Sequence, residues 1–222
     1  MDVDELFAAI KDRDQEALQR ILAADPAAAS SVDEIGVSAL LTAAYHGNTA
    51  AVTALRATGM DLSVFEAAAV GDLGRVRALV DADRTLARAY ASDGFHALGL
   101  AAFFGHSDVV RFLIQAGADV SAPSRNTMNV TALHSALAGP DPDSAFALIA
   151  AGADVNAKQQ DGYTALHEAA QNGDRPAIDA LLAAGADASA TIGSGERPAD
   201  LARKHGHPEV ARLLEQGPVR ST

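Results

Sequence analysis

The sequence predicts an all-α fold, a solenoid of stacked helix-turn-helix units joined by short β-hairpin fingers. Three observations lead there. A phrase recurs with a period near 33 residues, apolar stripes recur at helical spacing, and glycines stand where such stripes would stop. The chain has 222 residues, 49% of them hydrophobic, enough for one large domain or two small ones.

The repeats carry most of the argument. Asp161-Gly162-Tyr163-Thr164-Ala165-Leu166-His167-Glu168-Ala169-Ala170 aligns with Val130-Thr131-Ala132-Leu133-His134-Ser135-Ala136 and with Asp93-Gly94-Phe95-His96-Ala97-Leu98-Gly99-Leu100-Ala101-Ala102. About twenty residues later each reaches the same close: Ala184-Gly185-Ala186-Asp187, Ala151-Gly152-Ala153-Asp154 and Ala116-Gly117-Ala118-Asp119. The shared position is Leu98, Leu133 and Leu166, with Ala199 in the last unit, at spacings of 35, 33 and 33. Backwards from Leu98 it is Val64, Leu40 and Leu6, at 34, 24 and 34. Within one unit, Ala165, Leu166, Ala169 and Ala170 make a narrow apolar face whose small side chains let a neighbouring helix come close. After the Asn172-Gly173 turn, Ile178, Leu181 and Leu182 form the seam of a second helix, and Gly185 sits where a left-handed cap would end it. Such a pair cannot bury its own apolar face and must stack on its neighbours.

A Thr-Ala-Leu-His opening and a Leu-Leu-x-x-Gly-Ala-Asp close at this period resemble the ankyrin repeat. The resemblance runs from about Val3 to Gln216 and implies a curved slab of about six helix pairs. Its units are expected at approximately 3–32, 33–60, 61–90, 91–122, 123–157, 158–190 and 191–217, in one domain over 3–217, with 218–222 a frayed tail.

The spacing of 24 has its own meaning. Residues 6–59 align without a gap onto 64–117, with 15 of 54 positions identical, as duplication of a two-repeat block would leave them. The third unit then lacks the turn segment before Val64, and a missing or truncated finger is expected between Thr58 and Val64. The ends read as caps. Val3, Leu6, Phe7 and Ile10 form one apolar stripe with Asp2, Asp4, Glu5 and Lys11 outside it, and Val210, Leu213 and Leu214 face inward at the other end. An array capped in this way is expected to be a soluble monomer.

Charge narrows the function. Seventeen basic against 29 acidic residues leave a formal net charge of −12 and a pI near 4.8. That argues against nucleic acid, whose backbone is bound by cations that displace counterions, and against an anionic membrane surface. Without cysteine there are no disulfides, thiolate metal sites or cysteine nucleophiles. An acidic start and no long apolar run point to a cytoplasmic protein. An Ala- and Arg-rich chain with three lysines, Lys11, Lys158 and Lys204, suggests a GC-rich, bacterial genome.

No chemistry-bearing pattern displaces the binding reading. The seven histidines all fall at repeat positions: His134 and His167 in the opening phrase, where the resemblance implies a structural role, His96 in the threonine slot, and His46, His106, His205 and His207 beside mid-repeat glycines. No metal, cofactor or catalytic residue is expected. Gly193-Ser194-Gly195 reads as the turn of the last unit rather than a phosphate loop, since no Lys-Ser or Lys-Thr follows. Glu34, Asp161 and Glu168 read as solvated charges.

The resemblance places a binding surface on the concave face, built from finger tips and the first helix of each pair. Tyr45, His46, Phe95, Phe103, Phe104, Tyr163, Gln171 and Asn172 fall at those positions, and five of the ten Phe and Tyr residues are among them. Phe7, Phe65, Phe112, Phe146 and Tyr90 are assigned to core or cap packing. The fourth finger departs from the pattern in Pro123-Ser124-Arg125-Asn126-Thr127-Met128-Asn129, and Arg125 and Met128 could contact the same partner. The expected function is non-catalytic recognition of another protein, basic by charge complementarity, as a scaffold, inhibitor or regulator. Small-ligand or peptide binding, which needs a concave pocket, and a host-directed secreted effector are the alternatives.

Overall fold

In the computed structural model, residues 3–216 are described; the tail expected over 218–222 lies outside them, as does Asp2. Among the described residues fourteen α-helices follow one another as seven pairs, rather than about six. The pairs are α1 Val3–Lys11 with α2 Gln15–Ala24, α3 Ala39–Tyr45 with α4 Thr49–Ala57, α5 Val64–Ala69 with α6 Leu73–Ala82, and α7 Ala97–Phe103 with α8 Ser107–Gln115. They continue as α9 Ala132–Ala138 with α10 Pro142–Ala150, α11 Ala165–Asn172 with α12 Arg175–Ala183, and α13 Pro198–Lys204 with α14 Pro208–Gln216. Short 3₁₀ turns at Pro26–Ser30 and Arg84–Arg88 occupy the same place in the two copies of the duplicated block.

Helices this short need help at their ends. Asp14, Asn48, Asp72 and Asp174 each accept a hydrogen bond from the backbone N–H three residues on, opening α2, α4, α6 and α12. Ser63 and Glu66 form a reciprocal capping box on α5. The recurring Thr-x-x-His is a variant of that box. His134 Nδ1 lies 2.8 Å from Thr131 Oγ1 and accepts from its N–H, and His167 does the same with Thr164. His96 Nδ1 accepts from Gly99 N–H, while its Nε2 bonds Ala122 O at 3.0 Å at the close of the same unit.

Stacking buries the column that defined the repeat. Leu6, Leu40, Val64, Leu98, Leu133, Leu166 and Ala199 are all within a few per cent of fully buried. One core runs from α1 to α14. The cap stripes behave accordingly: Leu6, Phe7 and Ile10 are buried while Val3 stays exposed, and Val210 and Leu214 are buried with Leu213 half-buried. Of the aromatics assigned to packing, Phe7 is fully buried; Phe65, Phe112, Phe146 and Tyr90 are half-buried.

The fingers are held by single antiparallel bridges, Val32 to Ser38, Tyr90 to His96 and Pro123 to Thr131. The link from α4 to α5, residues 58–63, holds no bridge and no turn beyond Gly59, so the third unit has no finger. Successive later fingers are tied by one backbone bond each: Arg125 N–H to Gly94 O at 2.8 Å, Gln160 N–H to Met128 O at 2.9 Å, and Gly193 N–H to Asp161 O at 2.7 Å. The approach at Gly94 is close. It has φ +85°, and a Cβ there would stand 2.8 Å from the Arg125 carbonyl carbon. Among the described residues no helix is long and apolar enough to cross a membrane.

The buried imidazoles make stability depend on pH. Burial pushes His96 and His167 down, and His134 down to about 4, with hydrogen bonds to backbone opposing it. The folded values lie below the unfolded one, so this contribution is full above about pH 6.5 and is lost as pH falls towards 4, where only the unfolded chain takes up the proton. Melting temperature should therefore fall between pH 7 and 4.5. His134→Gln, which retains a capping acceptor, should flatten that slope by about 2–3 kcal/mol over the window. Thermal melts of both proteins across the range check it.

Candidate functional site

The first helices α3, α5, α7, α9 and α11 lie side by side, and the fingers project from their N-terminal ends. Between them runs a groove of about 570 Å³. Its helix wall comes from Thr42 and Tyr45 on α3 with His46 at its C-terminal cap, Gly99, Leu100 and Phe103 on α7, His134, Ser135 and Ala138 on α9, and Glu168 on α11. The finger wall comes from Asp33, Ile35 and Val37, then Asp93 and Phe95, then Met128 and Val130, with Gln159 beyond. Lys11 closes the α1 end.

The missing finger shapes this groove. With nothing projecting from α5, the finger over 32–38 meets the finger over 90–96 directly. Ser92 Oγ donates to Gly36 O at 2.6 Å, and Tyr45 Oη donates to Asp93 Oδ2 at 2.7 Å. Gly36 has φ +84°, and a Cβ there would press on Ser92 at 3.0 Å. The Tyr45 ring lies 6.4 Å from that of Phe95 and 5.8 Å from that of Phe104, and Phe104 meets Phe103 edge-on at 5.1 Å. Beneath these rings Val37, Leu41, Ala69 and Leu100 make a second, smaller apolar cluster. Burial, then the hydrogen bond to Asp93 and its charge, pushes the Tyr45 hydroxyl well above its usual range.

The sequence candidates divide. Tyr45, His46, Phe95, Phe103 and Met128 are brought together on the groove. Phe104 is turned away from its opening and packs half-buried against the small cluster. Arg125 lies behind the fingers with its guanidinium 4.0 Å over the Tyr90 ring. Tyr163 packs against His167 with ring centroids 5.7 Å apart, and Asn172 reaches Leu137 O at 3.5 Å; neither lines the groove, nor does Gln171. Conversely, Lys11, Asp33, Ile35, Asp93, Gln159 and Glu168 line it without having been singled out as binding residues. Ile35 carried a readable signal, an isoleucine in the turn Asp33-Glu34-Ile35-Gly36. Glu168 is not the solvated charge the sequence suggests: it is half-buried, and burial pushes its carboxyl up.

A family model for ankyrin repeats, in three-repeat copies, matches residues 6–123, 64–159 and 133–219. The chain belongs to the ankyrin repeat family. Ankyrin repeats are in general protein–protein interaction modules. A search of curated proteins finds no match. In this ankyrin array the groove lies where finger tips and first helices meet, and its rings come from units two and four, which the fingerless third unit brings into contact.

The Tyr45–Asp93 bond should be measurable. Tyr45→Phe should cost about 1–2 kcal/mol, because a hydrogen bond to a charged acceptor is lost, lowering the melting temperature by about 2–8 °C. Tyr163→Phe is the control, since the Tyr163 hydroxyl makes no hydrogen bond among the described residues. Equal melting temperatures for the two variants would show that the bond contributes nothing.

Proposed function

We propose that this ankyrin array is a non-catalytic recognition module that holds a protein partner in the concave groove. One observation carries the reading. Of the six large hydrophobic side chains exposed among the described residues, four line this one groove: Ile35 at 69%, Met128 at 47%, Phe103 at 41% and Tyr45 at 38%. Contiguous exposed apolar surface marks interaction sites, and aromatic anchors dominate binding energy. The net charge of −12 favours a basic partner and faster encounter at low salt. Of the groove's two imidazoles, His134 is engaged at the start of its own helix, which supports binding rather than chemistry.

The volume of about 570 Å³ also favours a second reading, in which the same groove takes a small apolar ligand. A pull-down from lysate with the wild type beside Phe103→Glu separates the two. Phe103 is chosen because it is exposed, whereas Phe104 contributes to packing. A partner should be captured by the wild type and bound at least about tenfold more weakly by the variant, a loss of about 1.4 kcal/mol. The variant should melt as the wild type does. Equal capture by both proteins would move the interface off the groove. No capture, together with a ligand-induced rise in melting temperature that Phe103→Glu abolishes, would favour the small ligand.

A further inference from the structure

Glu168 is unlike the other two carboxylates that line the groove. It is half-buried in the groove wall and makes no hydrogen bond or ion pair through its side chain among the described residues. The other two are engaged. Asp93 accepts from Tyr45 and from Phe95 N–H, and Asp33 accepts from the N–H groups of Ile35 and Val37. A carboxylate drawn partly out of water with no partner is unfavourable until a cation or donor meets it.

The groove's own charges do not supply that cation. Three carboxylates line it against one ammonium, Lys11. Lys11 belongs to α1, at the opposite end, where Asp4, Asp12, Asp33 and Glu34 line the adjoining depression with it. The groove is also long. At ~8–10 Å per packed helix, the row from α3 to α11 spans roughly 30–40 Å, the reach of about ten residues of extended chain. A peptide segment matches that length and a compact small molecule does not.

We infer that the groove takes an extended segment of a partner protein, with a large apolar side chain on Tyr45, Phe103 and Met128 and a lysine or arginine reaching Glu168. This rests on the groove being the protein-binding face. The apolar contact supplies anchoring, and the paired charge fixes the direction in which the segment lies.

The test is selection from a random dodecapeptide display library on the full chain. The selected sequence is then synthesised and its affinity measured by fluorescence anisotropy. Enriched peptides should share an apolar residue and a basic residue at a fixed separation. Glu168→Gln should weaken the peptide at least about tenfold. Replacing the peptide's basic residue by glutamine should cost the same on the wild type and almost nothing on Glu168→Gln. That peptide-side change keeps the test decisive should the protein variant fold poorly. Enriched peptides without a basic residue, or equal affinity for wild type and Glu168→Gln, would overturn the pairing; if Phe103→Glu still abolishes binding, the groove itself stands. No enrichment, or binding indifferent to Phe103→Glu, would overturn both.

Discussion

No helix pair in this chain closes its own apolar face, and that constraint organises everything else. α7 buries Leu98, Ala101 and Ala102 only because α5 and α9 stand on either side of it. The alanines permit the approach, and the repeating leucine fills what remains, each such side chain contributing about 1.5–3 kcal/mol on burial. Because every unit leans on the next, order propagates along the array, and only the ends need a different outer surface. Polar residues follow the same logic. His96 caps its own helix with one ring nitrogen and holds the close of its unit, at Ala122, with the other, so one neutral imidazole serves both local and long-range structure.

That dependence explains what the sequence discloses. Register, helix starts and the shortened third unit are local or periodic features, so a repeat alignment reveals them; Val64 after a spacing of 24 already implies the absent finger. The described residues hold seven helix pairs rather than about six, and the fingerless third unit and the last unit, with Ala199 in place of leucine, are complete pairs among them.

The groove was less legible, because it depends on contacts between units that are not neighbours in the repeat. Aligning each unit on its leucine places Tyr45 and Phe95 on the same face but says nothing of their meeting; that follows from the finger that is not between them. The alignment also treats Phe103 and Phe104 alike, yet consecutive helical residues point in different directions, and one faces the groove while the other joins the small cluster beneath it. Arg125 found a ring behind the finger rather than a place in front of it. Glu168 follows the capping histidine in a position that composition marks as polar, and only the neighbouring wall shows that it is half out of water.

The absent finger leaves two rows of unequal membership. The third unit adds its helix pair to the stack but nothing to the row of fingers, so Gly36 and Ser92 come into contact across its front. Helices of units two and four are kept apart by α5 while their fingers are neighbours. That mismatch between the two rows is what sets the aromatic rings of two non-adjacent repeats against each other.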